Sequence, residues 1–99
     1  MFIVYADRPG RGQDPTRREG FETESYSHAL SEDASSGWVT LTPGGRVLRV
    51  ATDVDGYERI RVFSQRGELV GAMTRTPHGR VVWSVPMWTE DRPQVRQPS

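Results

Sequence analysis

The sequence predicts a mainly β protein, a small antiparallel β-meander of five to six strands that forms a single sheet or a partly closed barrel. Two observations support this fold class. Four glycines recur at spacings of eleven, eleven and twelve residues, and a short apolar run follows each of them: Gly45, Gly56, Gly67 and Gly79. The intervals leave room for one strand and one tight turn, and such turns join antiparallel neighbours because a parallel crossover needs a longer connection.

The length of 99 residues indicates one small domain. Leu, Ile, Val and Phe supply 14 of the 52 residues from 37 to 88, but only 6 of the 47 residues outside that window. We therefore predict a single β domain over residues 1–88 with its core at 37–88. Residues 89–99 are polar with two prolines, which is typical of a flexible tail.

Residues 2–6 are aromatic or β-branched at most positions and predict a first strand that pairs with the core. Residues 11–36 form a polar segment interrupted by Gly, Pro and Ser, which indicates a functional loop or disorder. Its one helical pattern covers residues 23–34, where Tyr26 and Leu30 are one turn apart.

Alternation along the later strands separates two faces. The predicted core face holds Val39, Leu41, Leu48, Val50, Ile60, Val62, Leu69, Met73, Val81, Trp83 and Val85. The other face is half apolar and half arginine, so we expect something to cover part of it: the N-terminal segment, barrel closure or a partner. The four turns each end in glycine, where positive φ costs least.

The formal net charge is zero, which removes any whole-protein attraction to nucleic acid or to an anionic membrane. Residues 37–88 carry seven Arg against four acids, and residues 1–36 carry four Arg against seven acids. An acidic segment folded over a basic sheet and two separately solvated regions both fit this distribution. All 13 Lys or Arg positions are Arg, which indicates a GC-rich genome, such as that of an actinobacterium or one of its phages.

The chain has no cysteine, which excludes disulfides and thiolate catalysis. It has neither a signal-peptide core nor an apolar run long enough to span a membrane, so we expect a cytoplasmic protein without membrane contact.

One strand carries the clearest chemical pattern. Tyr57, Arg59, Arg61 and Phe63 alternate onto one predicted face, with Arg49 expected on the neighbouring strand. Aromatic rings flanked by arginines are how sheets bind single-stranded DNA or RNA. Arginines on a strand face are also ordinary, so the pattern supports a nucleic-acid hypothesis without excluding a plain solvated surface.

Trp38 and Trp88 flank the predicted core. Exposed Trp and Arg are enriched where protein partners bind most tightly, although Trp88 can equally cover an open end of the sheet. We therefore expect a non-enzymatic protein–protein interaction module, such as a phage accessory or structural protein or a small actinobacterial regulator. Its partner is another protein or a second copy of this chain, bound through an uncovered face or an edge strand. The alternative is the single-stranded DNA or RNA binder.

The sequence predicts no enzyme, cofactor or metal site. Asp53 and Asp55 before Gly56 resemble the start of a calcium loop, but the later ligand positions are missing and the same residues suit a turn. His28 and His78 are 50 residues apart without a recognisable catalytic motif around them.

Overall fold

A computed structural model describes residues 1–10 and 15–86. It confirms a mainly β, antiparallel fold, and the described residues form eight strands instead of five or six. These are β1 (Phe2–Arg8), β2 (Arg17–Thr23), β3 (Tyr26–Leu30), β4 (Gly37–Leu41), β5 (Leu48–Ala51), β6 (Arg59–Phe63), β7 (Leu69–Arg75) and β8 (Val81–Ser84). A short 3-10 turn at Pro43–Gly45 joins β4 to β5.

The strands form two sheets that do not close into a barrel. The larger sheet has the order β2-β1-β6-β7-β8, and the smaller one has the order β3-β4-β5. Every strand pair is antiparallel. The chain therefore starts in the larger sheet, crosses to the smaller one after β2, and returns after β5 so that β6 pairs with β1.

The core lies between the two sheets and takes residues from both. Fully buried side chains of the larger sheet meet those of the smaller sheet in one cluster, which contains Val4, Ala6, Ile60, Val62, Met73, Val81, Val39, Leu41 and Val50. Two residues assigned to the core face by alternation are exposed instead, Val85 to 50% and Leu48 to 37%. Val85 lies beyond the end of β8, and Leu48 begins β5, which is an edge strand.

The predicted turn glycines all adopt positive φ, from 74° at Gly56 to 89° at Gly67. The turns ending at Gly45, Gly67 and Gly79 connect neighbouring strands of one sheet. Gly56 instead lies in the connection between β5 and β6, which changes sheet. The regular spacing of the glycines predicts where turns occur, because a turn within a sheet and a connection between sheets need the same local geometry. It does not predict which strands pair.

The polar segment forms strands instead of the weak helix expected at 23–34. β2 pairs with β1 along its whole length, and β3 pairs with β4. The spacing of Tyr26 and Leu30 fits a strand as well as a helix, because positions four apart share one face in both. Pairing to a preformed neighbour decides between them. The predicted flexible tail at 89–99 lies outside the described residues.

Two buried threonines hold β4 at both ends, Thr23 at the end of β2 and Thr52 directly after β5. The Thr23 Oγ1 atom accepts a hydrogen bond from the backbone N–H of Thr42 at 2.8 Å. The Thr52 Oγ1 atom accepts one from the N–H of Gly37 at 3.0 Å. Both threonines are fully buried. The hydroxyls satisfy backbone donors where the ladder of the smaller sheet stops.

Trp83 on β8 occupies space that only glycine leaves open. A Cβ atom placed on Gly71 would lie 2.3 Å from the Trp83 ring. The Trp83 ring also stacks on the His28 imidazole of the smaller sheet, with centroids 3.8 Å apart and planes 8° from parallel. Trp83 therefore bridges the two sheets, as its predicted place on the core face implies.

Candidate functional site

The outer face of the larger sheet combines arginines with aromatic rings. β6 places Arg59, Arg61 and Phe63 there because Ile60 and Val62 alternate into the core. The adjacent β1 contributes Tyr5 opposite Arg61 and Asp7 opposite Arg59. On its other side, β2 places Arg18 opposite Asp7. We refer to this surface, formed by Tyr5, Asp7, Arg18, Arg59, Arg61 and Phe63, as the arginine face.

One carboxylate organises three guanidiniums on the arginine face. Asp7 Oδ1 accepts a hydrogen bond from Arg18 Nε at 2.9 Å. Asp7 Oδ2 accepts from Arg59 Nη2 at 2.7 Å and from Arg61 Nη2 at 3.4 Å. The Asp7 side chain is only 4% exposed, whereas those of Arg18 and Arg59 are about half exposed. We call the three arginines around Asp7 the guanidinium cluster.

The pKa of Asp7 reflects two opposing effects. Burial raises the pKa of its carboxyl, but hydrogen bonds and charge from Arg18 and Arg59 outweigh burial and hold the pKa below its ordinary value. Asp7 therefore stays ionised, and its charge fixes the orientation of the arginines. Since one negative charge faces three positive ones, the cluster keeps an excess of positive charge.

The aromatic rings of the arginine face are partly covered by its own cations. Tyr5 and Phe63 meet edge to face with centroids 5.7 Å apart. The Arg18 guanidinium lies 5.6 Å from the Tyr5 ring centre, and that of Arg61 lies 5.6 Å from the Phe63 ring centre. Both rings are half-buried. The surface is a mixed arginine and aromatic patch in which the ring faces are not freely open.

Tyr57 does not belong to this surface, contrary to the alternation drawn from the sequence. It is 3% exposed and packs in the core, because β6 begins only at Arg59 and the preceding residues cross between the sheets. Its hydroxyl donates to Glu19 at 2.6 Å, and Arg8, ion-paired with Glu19, lies over its ring. Burial, followed by the bond to Glu19, raises the pKa of Tyr57 to about 12.

Arg49 is also separated from Arg59 and Arg61, because β5 and β6 lie in different sheets. Arg49 instead lies over the ring of Trp38, 4.0 Å from its centre, on the outer surface of the smaller sheet. The structure therefore divides the predicted binding residues between two faces. Trp88 lies outside the described residues.

A groove of about 670 Å³ opens at the end of the arginine face. Asp7 and Arg59 belong to both the groove and the face. Charged and hydroxyl side chains supply most of the remaining lining, including Arg8, Glu58, Arg75, Thr74 and Thr76. Its cations and anions are mixed, so the groove has a weaker charge preference than the guanidinium cluster.

Neither histidine of the chain is paired with a carboxylate in the described part of the structure. His28 stacks on Trp83, and His78 is exposed in the turn between β7 and β8. Residues 1–10 and 15–86 contain no group of three or more His, Asp or Glu side chains placed to hold a metal ion. Within the same ranges, no helix has the length and apolar character needed to cross a membrane.

Sequence reasoning missed three residues of the arginine face: Tyr5, Asp7 and Arg18. The signal for the first two was present, because Tyr5 and Asp7 alternate with the apolar Val4 and Ala6 in β1. Arg18 lies in a segment with no strand-like apolar pattern, and only pairing with β1 brings it to Asp7.

Comparisons with protein-family models, with curated proteins and with solved structures found no match to this chain.

Proposed function

We propose that this protein is a non-enzymatic interaction module that binds another protein through the arginine face. The observation that carries the proposal is the guanidinium cluster around the buried Asp7. Arginine and tyrosine are the residues most often responsible for tight protein binding. Because Asp7 already holds the arginine side chains in place, less conformational entropy is lost when a partner orders them.

The arginine face suits a protein surface in composition as well as in charge. Tyr5 and Phe63 offer apolar contact area, and the surrounding cations offer directional donors. Apart from Arg18 on β2, these side chains lie on β1 and β6, which pair with a strand on each side, so their backbone is restrained. We also propose that the protein is cytoplasmic and comes from an actinobacterium or one of its phages. The partner is another protein or a second copy of this chain.

Single-stranded DNA or RNA binding is the second candidate, favoured by the position of Tyr5. Arg59, Arg61 and Phe63 share one face as predicted, and Tyr5 takes the place expected for Tyr57 as an aromatic ring beside Arg61. Two features favour the protein partner: the rings lie under their own arginines, and the net charge of the whole chain is zero.

Affinity capture with a matched pair of variants tests the proposed function. The face variant combines Arg18→Gln with Arg61→Gln, and the control combines Arg66→Gln with Arg80→Gln, two exposed arginines in turns. We expect a protein from the source organism to be retained by the wild type and the control but lost by the face variant, with direct binding then measured by calorimetry on the purified partner. Thermal unfolding establishes that each variant is folded.

Two other measurements give the contradicting outcomes. If the face variant retains the partner as well as the wild type does, and Trp38→Ala loses it, the partner binds the smaller sheet. Saturable, salt-sensitive binding of labelled single-stranded DNA or RNA that requires Arg59 and Arg61 would favour the second candidate. Light scattering reports whether the captured partner is a second copy.

A further inference from the structure

Arg61 is the least satisfied member of the guanidinium cluster. Its Nε atom is buried and has no hydrogen-bond partner among the described residues. Its one ion pair, from Nη2 to Asp7 Oδ2, measures 3.4 Å, compared with 2.7 Å for Arg59 to the same oxygen. A buried donor without an acceptor costs free energy that a suitable ligand would recover.

The single carboxylate cannot serve three arginines equally. Arg18 occupies Asp7 Oδ1, while Arg59 and Arg61 share Oδ2, and Arg59 takes the shorter bond. Burial and the adjacent charge of Arg59 lower the pKa of Arg61 by more than the charge of Asp7 raises it, and Arg18 adds a smaller lowering. The guanidinium cluster therefore has the excess positive charge and the free N–H donor needed to bind a second anionic group.

The arrangement favours a carboxylate of a protein over the phosphates of a nucleic acid. The guanidiniums converge on one point around Asp7, whereas a nucleic-acid backbone needs cations spread along a track. An Arg side chain can donate two parallel N–H bonds to the two oxygens of one carboxylate, so one Asp or Glu side chain suffices. Tyr5 and Phe63 then contact the residues on either side of that carboxylate.

We propose that the guanidinium cluster binds an Asp or Glu carboxylate of an acidic partner segment, with Arg61 turning so that Nε and one Nη atom donate to it. The inference rests on the proposed function, since it names the chemistry of the partner at the same face. It identifies Arg61 as the residue that changes its hydrogen bonding on binding.

The test uses the full chain and defined probes. The first probe is a fluorescein-labelled peptide of eight residues rich in Glu, and its matched control carries Gln at every Glu position. Arginine Nε–H resonances are followed by NMR while either peptide is added up to millimolar concentration. We expect the Glu peptide to shift the Arg61 Nε–H signal, to saturate, and to bind more weakly as salt rises. The Gln peptide should leave the signal in place.

Variants connect the effect to the cluster. Arg61→Gln should lower the affinity for the Glu peptide about tenfold or more, because the substitution removes one partner of a charged pair. Arg66→Gln removes the same charge from the turn between β6 and β7 and should change the affinity less than about twofold. The unfolding midpoint of each variant, measured in parallel, separates lost binding from lost folding.

Three results would overturn the inference. Equal binding of the Glu and Gln peptides, or an unmoved Arg61 signal, shows that no carboxylate enters the cluster. If the partner captured through the arginine face is still retained, the proposed function stands without this contact. If capture fails as well, both are wrong. Binding of a dT oligonucleotide that depends on Arg61, without binding of the Glu peptide, assigns the cluster to nucleic acid.

Discussion

Asp7 shows how one residue can serve both folding and binding. It lies on β1 between β2 and β6, and its two oxygens attach to an arginine of each neighbour. Replacing a carboxylate that pairs with several cations leaves those cations repelling each other. We therefore expect Asp7 to contribute to stability through its charge as well as its hydrogen bonds.

Asp7→Asn should lower the free energy of unfolding at neutral pH by about 1–3 kcal/mol, less than for fully buried pairs because the arginines are partly exposed. The folded-state pKa of Asp7 is depressed, so its contribution is present above the ordinary Asp pKa of 3.8 and is lost as pH falls through the folded-state pKa. Denaturant unfolding at pH 7 and at decreasing pH should show the gap between wild type and variant closing. Asp53→Asn, at an exposed turn position, is the control. A gap that is constant down to pH 2 would contradict this account.

At the scale of elements, side-chain hydrogen bonds reinforce the two places where the chain changes sheet, and backbone hydrogen bonds at Thr52 and Glu58 also hold the second of them. Thr23 and Thr52 tie them to the two ends of β4. Tyr57, just before β6, is anchored to Glu19 on β2. These contacts join segments that are distant in sequence, and they occur where the chain leaves one sheet for the other.

Thr23→Val and Thr52→Val should each destabilise the protein by about 1–3 kcal/mol, because each leaves a backbone N–H of the β4 region without its acceptor. Thr→Ser at the same positions retains the hydroxyl and removes only a methyl group, so it should cost less than Thr→Val. Chemical denaturation of the four variants gives the comparison. A Ser variant as unstable as its Val counterpart would indicate that packing, not hydrogen bonding, sets the cost.

Tyr57→Phe should lose about 1 kcal/mol at neutral pH through the bond to Glu19. Because the folded-state pKa of Tyr57 is raised from 10.0 to about 12, its neutral form gives stability that is fully present below pH 10 and declines as pH rises toward 12. Unfolding free energies between pH 8 and pH 12 should therefore fall more steeply for the wild type than for the variant. Parallel curves would contradict the shift.

The elements also show what sequence can predict here. Turn positions could be predicted because Gly56, Gly67 and Gly79 meet a local requirement, positive φ, that few other residues satisfy. The buried faces of β4 and β6 followed from alternation, as did Met73 on β7, but a register shift at Val62/Phe63 packs Val70 against the core and not the predicted Leu69. The strand β3 was missed because Ser27 and His28 carry no apolar pattern, and its pairing to β4 depends on distant residues. Tyr57 was misplaced because alternation was extended beyond the start of β6.

At the scale of the whole molecule, we expect the stability against local unfolding to differ between central and edge strands. β1, β6 and β7 are central in the larger sheet and β4 is central in the smaller one, whereas within residues 1–10 and 15–86 β2, β3, β5 and β8 each pair on one side only. The fully buried core residues are concentrated on the central strands. The arginine face spans β2, β1 and β6, so two of its three strands are central.

Hydrogen exchange followed by mass spectrometry should show this difference. We expect peptides from β1, β4 and β6 to exchange most slowly, because their backbone donors are paired on both sides and open only with the global unfolding reaction. Peptides from β3 and β5 should exchange faster through local opening. Protection of β5 equal to that of β4 would contradict the prediction and indicate that something covers this edge in solution.

The pairing of β1 with β6 also affects how the chain folds while it is being synthesised. Asp7 and Arg59, which join these strands, are 52 residues apart, so a ribosome adding about 5–20 residues per second needs roughly 3 to 10 seconds to synthesise the interval. During that time the β1–β2 hairpin of the nascent chain has no partner on its β6 side. Its apolar residues are then open to chaperones and to other nascent chains, so we expect β1 to be exposed to misassembly during co-translational folding.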